Sequence, residues 1–486
     1  MGDSEAMGLD ELPNHLLHRI LQVGDLEAVD LAMLEMSCYT FRAAGGIEPY
    51  RFKSMTENAA LLYCQSDPLF VRLPPTLQAQ LINRCRGNRK LVMRFLQATH
   101  QAANGVCTPH GQVQVVAGKY LTFLIKGEGK LFGCGSNQFG ILGQGPLMVE
   151  CRAPVKVPVP SGCRVKQISG THHHVAFVTE NGEVFTYGDN SSGCCGHGDI
   201  EGPIYTPTLV ESLSGIPCKQ VSTGLSFTAA VTTEGVIYTW GSGSHGQLGH
   251  GDTVEQSQPL QIESLSSIGV VTQVATGASY TLALMDNGDL YSFGYGANYC
   301  LGHDDSASEW QPRRVALDEN CFFTSVAAAD EHSVAIDSQG QVYTWGKGYC
   351  GPLGHGVEDD VREPKVVEVL RNILAVQVSA QRRKTFVLAD TGQIFAFGWI
   401  GVESLGLPSQ SVLGLPTNSK ALIPMHIAFE GPFAKQNIGQ VSAGFYHTAS
   451  ISREGLFLSI GDDEKGQLGF DIDFPKWPFL QSSALQ

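Results

Sequence analysis

The chain has 486 residues, a formal net charge of −15 and 56 glycines. Hydrophobic residues make up 43% and charged residues 16%, which fits many short strands joined by tight turns and excludes a coiled coil or a disordered chain. The acidic balance would repel a phosphate backbone, so direct nucleic-acid binding is not expected. No stretch is long and apolar enough to span a bilayer, and the thirteen cysteines show no paired zinc-type spacing. We therefore expect a protein of the nucleus, the cytoplasm or both, without a membrane partner.

The start of the chain predicts short helices, because leucines recur there at helical spacing. Its pattern resembles an F-box, a helical module that docks on the Skp-family adaptor of a ubiquitin ligase. The resemblance implies that the matching residues contact that adaptor: Leu12, Pro13, Leu16, Leu17, Ile20, Leu21, Leu26, Cys38 and Phe41. One alternative stays open, in which these side chains only pack the helices on each other and on the rest of the protein.

The next segment also predicts helices, with a break at Leu73–Pro75. The sequence thus divides into an F-box-like segment at residues 8–50, a helical bridge at residues 51–107 and a repeat domain at residues 108–486.

The repeat domain carries two glycine markers with one shared period. Each marker recurs in steps of 53, 53, 53, 52, 52 and 63 residues. The first is Gly129, Gly182, Gly235, Gly288, Gly340, Gly392 and Gly455; the second is Gly143, Gly196, Gly249, Gly302, Gly354, Gly406 and Gly469. A turn between two strands precedes each second marker, and the second strand ends on a bulky or apolar residue: Cys134, Tyr187, Trp240, Phe293, Trp345, Phe397 and Ile460. The period predicts a mainly β fold, a seven-bladed β-propeller with four strands per blade, behind a small α-helical domain.

Two segments resemble the repeat of the regulator of chromosome condensation family, WGSGSHGQLGHGD at Trp240–Asp252 and IGDDEKGQLGF at Ile460–Phe470. The resemblance covers residues from about 111 to the C-terminus and implies the same seven-bladed fold. Family members include exchange factors, ubiquitin-ligase subunits, chromatin binders and a plant photoreceptor, so the repeat alone does not fix a function.

Candidate binding residues follow the glycine or its replacement that precedes the second strand of each repeat. The resemblance implies that these positions line one face of the propeller near its axis. The candidates vary from repeat to repeat: Tyr120, His172, Asp330, Glu331, Arg382, Arg383, Lys384 and Tyr446. An ordinary solvated surface is the alternative.

No catalytic motif occurs in a matching strand and helix context, so we expect no enzyme activity and no cofactor. No metal site is expected at His172–His174 either, because adjacent strand residues point to opposite faces. The leading hypothesis is a protein-interaction scaffold that binds a client and tethers it to a Skp-cullin ubiquitin ligase. The alternatives are a nuclear regulator of transcription that binds histones, and an exchange factor for a Ran-type GTPase. Light absorption by clustered tryptophans is not expected, since none of the variable loop triplets contains tryptophan.

Overall fold

The computed structural model describes residues 55–108, 111–170, 173–198, 200–318, 321–399, 420–429, 437–469 and 480–484. The chain forms two compact units, Met1–His100 and Gln101–Gln486. The F-box-like segment at residues 8–50 lies outside the described residues, so its helices stay a prediction. Within the described part of the chain, no helix has the length and apolar character needed to cross a membrane.

Four helices precede the propeller in the described part of the chain, and the predicted break at Leu73–Pro75 separates the second from the third. They are α1 Met55–Ser66, α2 Pro68–Arg72, α3 Pro75–Arg84 and α4 Arg89–Asn104. Asp67 caps α2, since its Oδ1 accepts hydrogen bonds from the backbone N–H groups of Leu69 and Phe70 at 2.9 and 3.0 Å. Its second oxygen lies 2.8 Å from His100 Nε2, and this hydrogen bond raises the pKa of His100. One buried carboxylate therefore caps the start of α2 and also binds His100 on α4.

Seven antiparallel sheets make up the propeller, as the glycine period predicts. We call them blades one to seven, and name their strands a to d from the axis outward. The strands of the first three blades are β1 Val106–Thr108, β2 Gly111–Ala117, β3 Leu121–Lys126, β4 Lys130–Ser136 and β5 Glu150–Lys156; β6 Val165–Ser169, β7 His174–Thr179, β8 Val184–Gly188 and β9 Ile204–Leu209; and β10 Cys218–Thr223, β11 Phe227–Thr232, β12 Ile237–Gly241 and β13 Gln256–Gln261.

A short helix, α5 Glu263–Ser266, leads into blade four. The strands of the remaining blades are β14 Val271–Thr276, β15 Tyr280–Met285, β16 Leu290–Gly294 and β17 Glu309–Arg314; β18 Phe323–Ala328, β19 His332–Asp337, β20 Val342–Gly346 and β21 Val361–Val366; β22 Ala375–Gln381, β23 Lys384–Ala389, β24 Ile394–Trp399 and β25 Lys420–Phe429; β26 Ile438–Ala443, β27 His447–Ser452 and β28 Phe457–Gly461; and the C-terminal β29 Leu480–Ala484.

The strand count departs from four in three blades. Blade one gains β1, which pairs with β2, and blade six gains β29, which pairs with β25. Blade seven has three strands among the described residues, and Ile460 on its c strand is half-buried there. The C-terminal strand therefore extends blade six and does not complete blade one.

The second glycine marker packs against the residue that ends strand c in the next blade. Six of the seven residues predicted at the ends of the c strands are fully buried, and these are Cys134, Tyr187, Trp240, Phe293, Trp345 and Phe397. A Cβ on Gly196 would lie 2.8 Å from Nε1 of Trp240 in the next blade, and the φ of Gly196 is +79°. The same indole Nε1–H donates to Cys194 O at 2.9 Å. Glycine is needed because the aromatic ring of the neighbouring blade packs directly on the backbone.

Glutamine side chains join the a strands around the axis. Gln220 Oε1 accepts from Val274 N at 2.9 Å, while its Nε2 donates to Val274 O at 3.1 Å. Gln167 and Gln273 bridge to Val221 and Val326 in the same way. Each such glutamine satisfies both backbone groups of one residue in the following blade.

We expect Gln220→Ala to lower the free energy of unfolding by about 1–3 kcal/mol, because Val274 would keep a buried N–H and C=O without their partner. Urea unfolding followed by tryptophan fluorescence measures this change. The matched control is Gln393→Ala in an exposed turn, where a change below about 0.5 kcal/mol is expected. Equal losses in the two variants would contradict the bridging role.

The ring closes where blade seven meets blade one. Val115 N donates to Gln440 Oε1 and Ala117 N donates to Ser442 Oγ, both at 2.9 Å. Below them, His447 Nε2 lies 2.7 Å from Thr122 Oγ1, a contact between residues 325 positions apart. The closing seam thus uses the same side-chain bridges as the other blade junctions.

Candidate protein-binding face

The a–b loops and the c–d loops emerge at the same end of the propeller, which we call the loop face. Tyr120 O accepts from Ser136 N at 2.8 Å, and Ser279 O accepts from Tyr295 N at 2.8 Å. Each c–d loop therefore starts beside the a–b loop of its own blade. This places the variable loop residues of all blades on one surface.

Beneath the loops, the first residue of each b strand reaches into the next blade. His174 Nε2 lies 2.7 Å from Thr228 Oγ1, and His332 Nε2 lies 2.9 Å from Thr385 Oγ1. Tyr280 OH donates to His332 O at 2.7 Å. These side chains are buried, so the position joins neighbouring blades and does not contribute to the surface.

Lys384 occupies this buried position in blade six, and its predicted place on the face is wrong. The side chain is 2% exposed, and its Nζ donates to His447 O at 3.1 Å. Burial, with a smaller contribution from Arg382, lowers the pKa of Lys384 to about 7. The correction follows from the alternation of a strand, because the third loop residue already starts strand b and points into the blade junction.

Half-buried aromatic and basic side chains of blades one, six and seven meet on the loop face. We call this group the aromatic–cation cluster, and its members are Lys119, Tyr120, Arg382, Trp399, Phe445 and Tyr446. The rings of Tyr120 and Tyr446 stack across the closing seam, with centroids 4.9 Å apart. A hydrogen bond to Tyr446, together with burial, raises the pKa of Tyr120 to about 12.

The cations of the cluster lie over its rings. Arg382 Cζ is 4.8 Å from the centroid of Trp399 and 5.1 Å from that of Tyr446. Lys119 Nζ lies 5.8 Å from the Tyr120 centroid and 6.0 Å from the Phe445 centroid. Such cation–π contacts are favourable, and they hold long side chains in one place on an exposed surface.

Charged residues of blade five and its neighbours border the cluster. Arg383 Cζ lies 4.8 Å from the ring centroid of Tyr349, whose side chain is 50% exposed. Glu331 accepts from Lys347 Nζ at 3.1 Å and from Asn298 Nδ2 at 3.2 Å. Burial, and then the negative charge of Glu331, raise the pKa of Asp330 to about 6. The face thus combines acidic and basic groups, as the variable loops predicted.

The predicted binding residues do not all lie together. Tyr120, Arg382 and Tyr446 meet in the cluster, while Arg383, Asp330 and Glu331 stand beside it. His172 and the nine residues of the F-box-like pattern lie outside the described residues. Trp399 and Tyr349 were not among the predicted residues, because the candidate residues of the propeller face were all taken from the a–b loops. Aromatic residues at the end of strand c and in the c–d loop were the sequence signal that could have identified them.

This arrangement defines a seven-bladed β-propeller with variable loops on one face, which is a protein-interaction fold. The model of the regulator of chromosome condensation (RCC1) repeat matches residues 128–178, 181–231, 234–284, 287–336 and 339–388. The ultraviolet-B receptor UVR8 of Arabidopsis thaliana is 30% identical over 386 residues, which cover 78% of this chain and 84% of the receptor. The chain belongs to the RCC1 repeat family.

Other relatives share the repeat in different settings. The E3 ubiquitin-protein ligase HERC2 of Homo sapiens is 34% identical over 291 residues, which are 59% of this chain and 6% of the ligase. The solved structure of human WBSCR16 matches with a TM-score of 0.60 at 22% identity, over 70% of this chain and 86% of that one. Prp20p of Saccharomyces cerevisiae matches with a TM-score of 0.60 at 21% identity, over 73% and 84% of the two chains. At these identities the two structures show the fold alone.

Proposed function

We propose that this protein is a non-enzymatic scaffold that acts in the nucleus, the cytoplasm or both. Its loop face binds a protein client, and its F-box-like segment tethers that client to a Skp-cullin ubiquitin ligase. The observation that carries the proposal is the aromatic–cation cluster. It concentrates Arg382, Trp399 and the stacked pair Tyr120 and Tyr446 in one sector of an otherwise repeated ring.

The chemistry of this sector suits protein recognition. Tyrosine, tryptophan and arginine are the residue types that contribute most to binding energy at protein interfaces. In this cluster they are half-buried, so their positions are largely set before a client arrives. Preordered side chains lose little conformational entropy on binding, which favours affinity.

The tether rests on the leucine pattern of residues 12–41. Two rival functions need no tether. Yeast Prp20p, which shares the fold, has binding properties to Gsp1p and histones. The rivals for this chain are exchange on a Ran-type GTPase and binding of histones.

The test compares tagged full-length protein with the variant Leu16→Ala plus Leu17→Ala, each recovered from its own cells and identified by mass spectrometry. We expect a Skp-family adaptor and a cullin on the unchanged protein, and at least a tenfold loss of both on the variant. Clients of the loop face should remain on both proteins, which shows that the variant is folded. Absence of adaptor from both proteins would overturn the tether. Recovery of histones or of a Ran-type GTPase instead would favour the corresponding rival.

A further inference from the structure

Three cations at the centre of the loop face share one nearby acidic group, Asp330, and the positive charge of each opposes the rise in the pKa of that carboxyl. Neither Lys119, Arg382 nor Arg383 makes an ion pair within 4 Å in the described part of the chain. Nearby basic side chains do, since Lys347 pairs with Glu331 and Lys420 with Glu358. Three cations around one carboxylate leave a local surplus of positive charge in this sector of a protein whose net charge is −15.

Arg382 is held in place with a hydrogen-bond donor unused. Gln381 pairs with Lys384, so that Arg382 and Arg383 form a tight two-residue turn. The φ of Arg382 is +54°, a left-handed conformation that costs a non-glycine residue about 1 kcal/mol or more. Its Nη1 is buried and has no hydrogen-bond partner among the described residues. The strain and the unused donor together point to an external acceptor.

The acidic side chains around the cluster are already engaged. Glu331 is held by Lys347 and Asn298, and Asp462 accepts from Gln467 Nε2 at 3.1 Å. Glu464 lies 3.2 Å from Lys465 Nζ. These carboxylates do not neutralise the three central cations, and Asp330 supplies one acidic group for all three. They do frame them with negative charge, which disfavours a long polyanion such as a nucleic acid.

We propose that the loop face binds a short acidic segment of its client, in which two or three Asp or Glu side chains reach Arg382, Arg383 and Lys119. Arginine suits this task because its planar guanidinium donates two parallel hydrogen bonds to one carboxylate. An apolar side chain of the same segment would lie against Tyr349 or Tyr446. This inference rests on the proposed function, because it names the chemistry of the client that the loop face holds.

The test places a photo-crosslinking phenylalanine derivative at Tyr349 in the full-length protein, and in a second protein at Leu225. Leu225 is 39% exposed in the a–b loop of blade three, on the loop face and outside the cluster. Crosslinked client segments are recovered from cells and sequenced by mass spectrometry. We expect segments captured at position 349 to carry two or more Asp or Glu residues, and segments captured at position 225 to lack this enrichment.

Two charge reversals complete the design. Arg383→Glu should reduce capture at position 349 at least tenfold, whereas the control Arg371→Glu should leave it unchanged. Arg371 is an exposed arginine that pairs with nearby Glu368 and lies outside the cluster. Arg382→Asn removes the guanidinium while keeping a residue that tolerates positive φ, so it should lose capture without loss of thermal stability.

The outcomes separate the inference from the proposed function. Basic or neutral segments at position 349, or capture that survives Arg383→Glu, would overturn the acidic-segment inference and leave client binding standing. Loss of capture after phosphatase or nuclease treatment would also overturn it, in favour of a phosphorylated or nucleic-acid ligand. No client captured at either position would instead contradict client binding by the loop face itself.

Discussion

Lowering the pH from 6.5 towards 3 should destabilise the propeller steeply, because two buried histidines must stay neutral in the folded state. Burial lowers the pKa of His332 and of His447 to about 3 from an ordinary value of 6.5. Between these values the unfolded chain binds more protons, so stability is fully present above 6.5 and is lost as the pH falls. Each histidine contributes a slope of up to about 1.4 kcal/mol per pH unit.

The variant His447→Phe tests this slope with a residue that the chain already uses at the same position, Phe227 in blade three. The free energy of unfolding in urea is measured at pH 7, 6, 5 and 4 for both proteins. The variant loses the contact with Thr122, but Thr122 Oγ1 still donates to Gln467 O at 2.7 Å. We expect the pH dependence of the variant to be shallower by about 1 kcal/mol per pH unit. Parallel curves would contradict a neutral buried His447.

Replacing Lys384 by methionine should stabilise the protein at pH 7 by about 2–4 kcal/mol, because a buried ammonium group is costly to remove from water. Methionine has a similar length, so no large cavity forms. The carbonyl of His447 keeps a hydrogen bond from Gly444 N at 3.0 Å after the change. An exposed residue on the loop face would instead give a change below about 0.5 kcal/mol.

The pH dependence of this gain has a defined sign. Below about 7 the amine of Lys384 is protonated in both states, so the full cost of burial is present. Between 7 and the ordinary value of 10.5 the folded state binds fewer protons, and stability of the unchanged protein rises with pH. Urea unfolding at pH 6, 7, 9 and 10 should therefore show a gain that shrinks above pH 7. The exposed control Lys126→Met should show no such trend, and a constant gain in Lys384→Met would contradict a buried charge.

The sequence predicted the propeller well because its two glycine markers have a direct physical cause. Gly196 of the second marker lies against Trp240 and Gly182 of the first marker lies against Pro217, both in the next blade, so each repeat contains both sides of one blade junction. A repeat period of this kind predicts the number of blades and the position of each turn. It does not show that β29 pairs with β25, since that pairing joins elements outside the repeat.

The residues that the structure brings together on the loop face were predicted in part, and the omissions share one reason. Loop triplets identified Tyr120, Arg382 and Tyr446, but they said nothing of side chains that other loops bring to the same place. Trp399 lies at the end of a c strand, where its backbone N–H donates a hydrogen bond to Arg383 O at 2.7 Å. The prediction for Lys384 was wrong because it treated all three positions of the loop triplet as exposed. The third position is the first residue of strand b, and its side chain points into the blade junction.

The closing seam gives the face a property that depends on the order of synthesis. Tyr120 is made early and Tyr446 late, and their rings meet only after blade seven has docked on blade one. A chain still emerging from the ribosome with six blades complete holds Arg382 and Trp399 but lacks both Phe445 and Tyr446. The complete aromatic–cation cluster is therefore absent from any form of the chain that ends before Phe445. The client binding that we propose would then require blade seven to be in place, so a partner that binds the cluster would select chains in which the ring has closed.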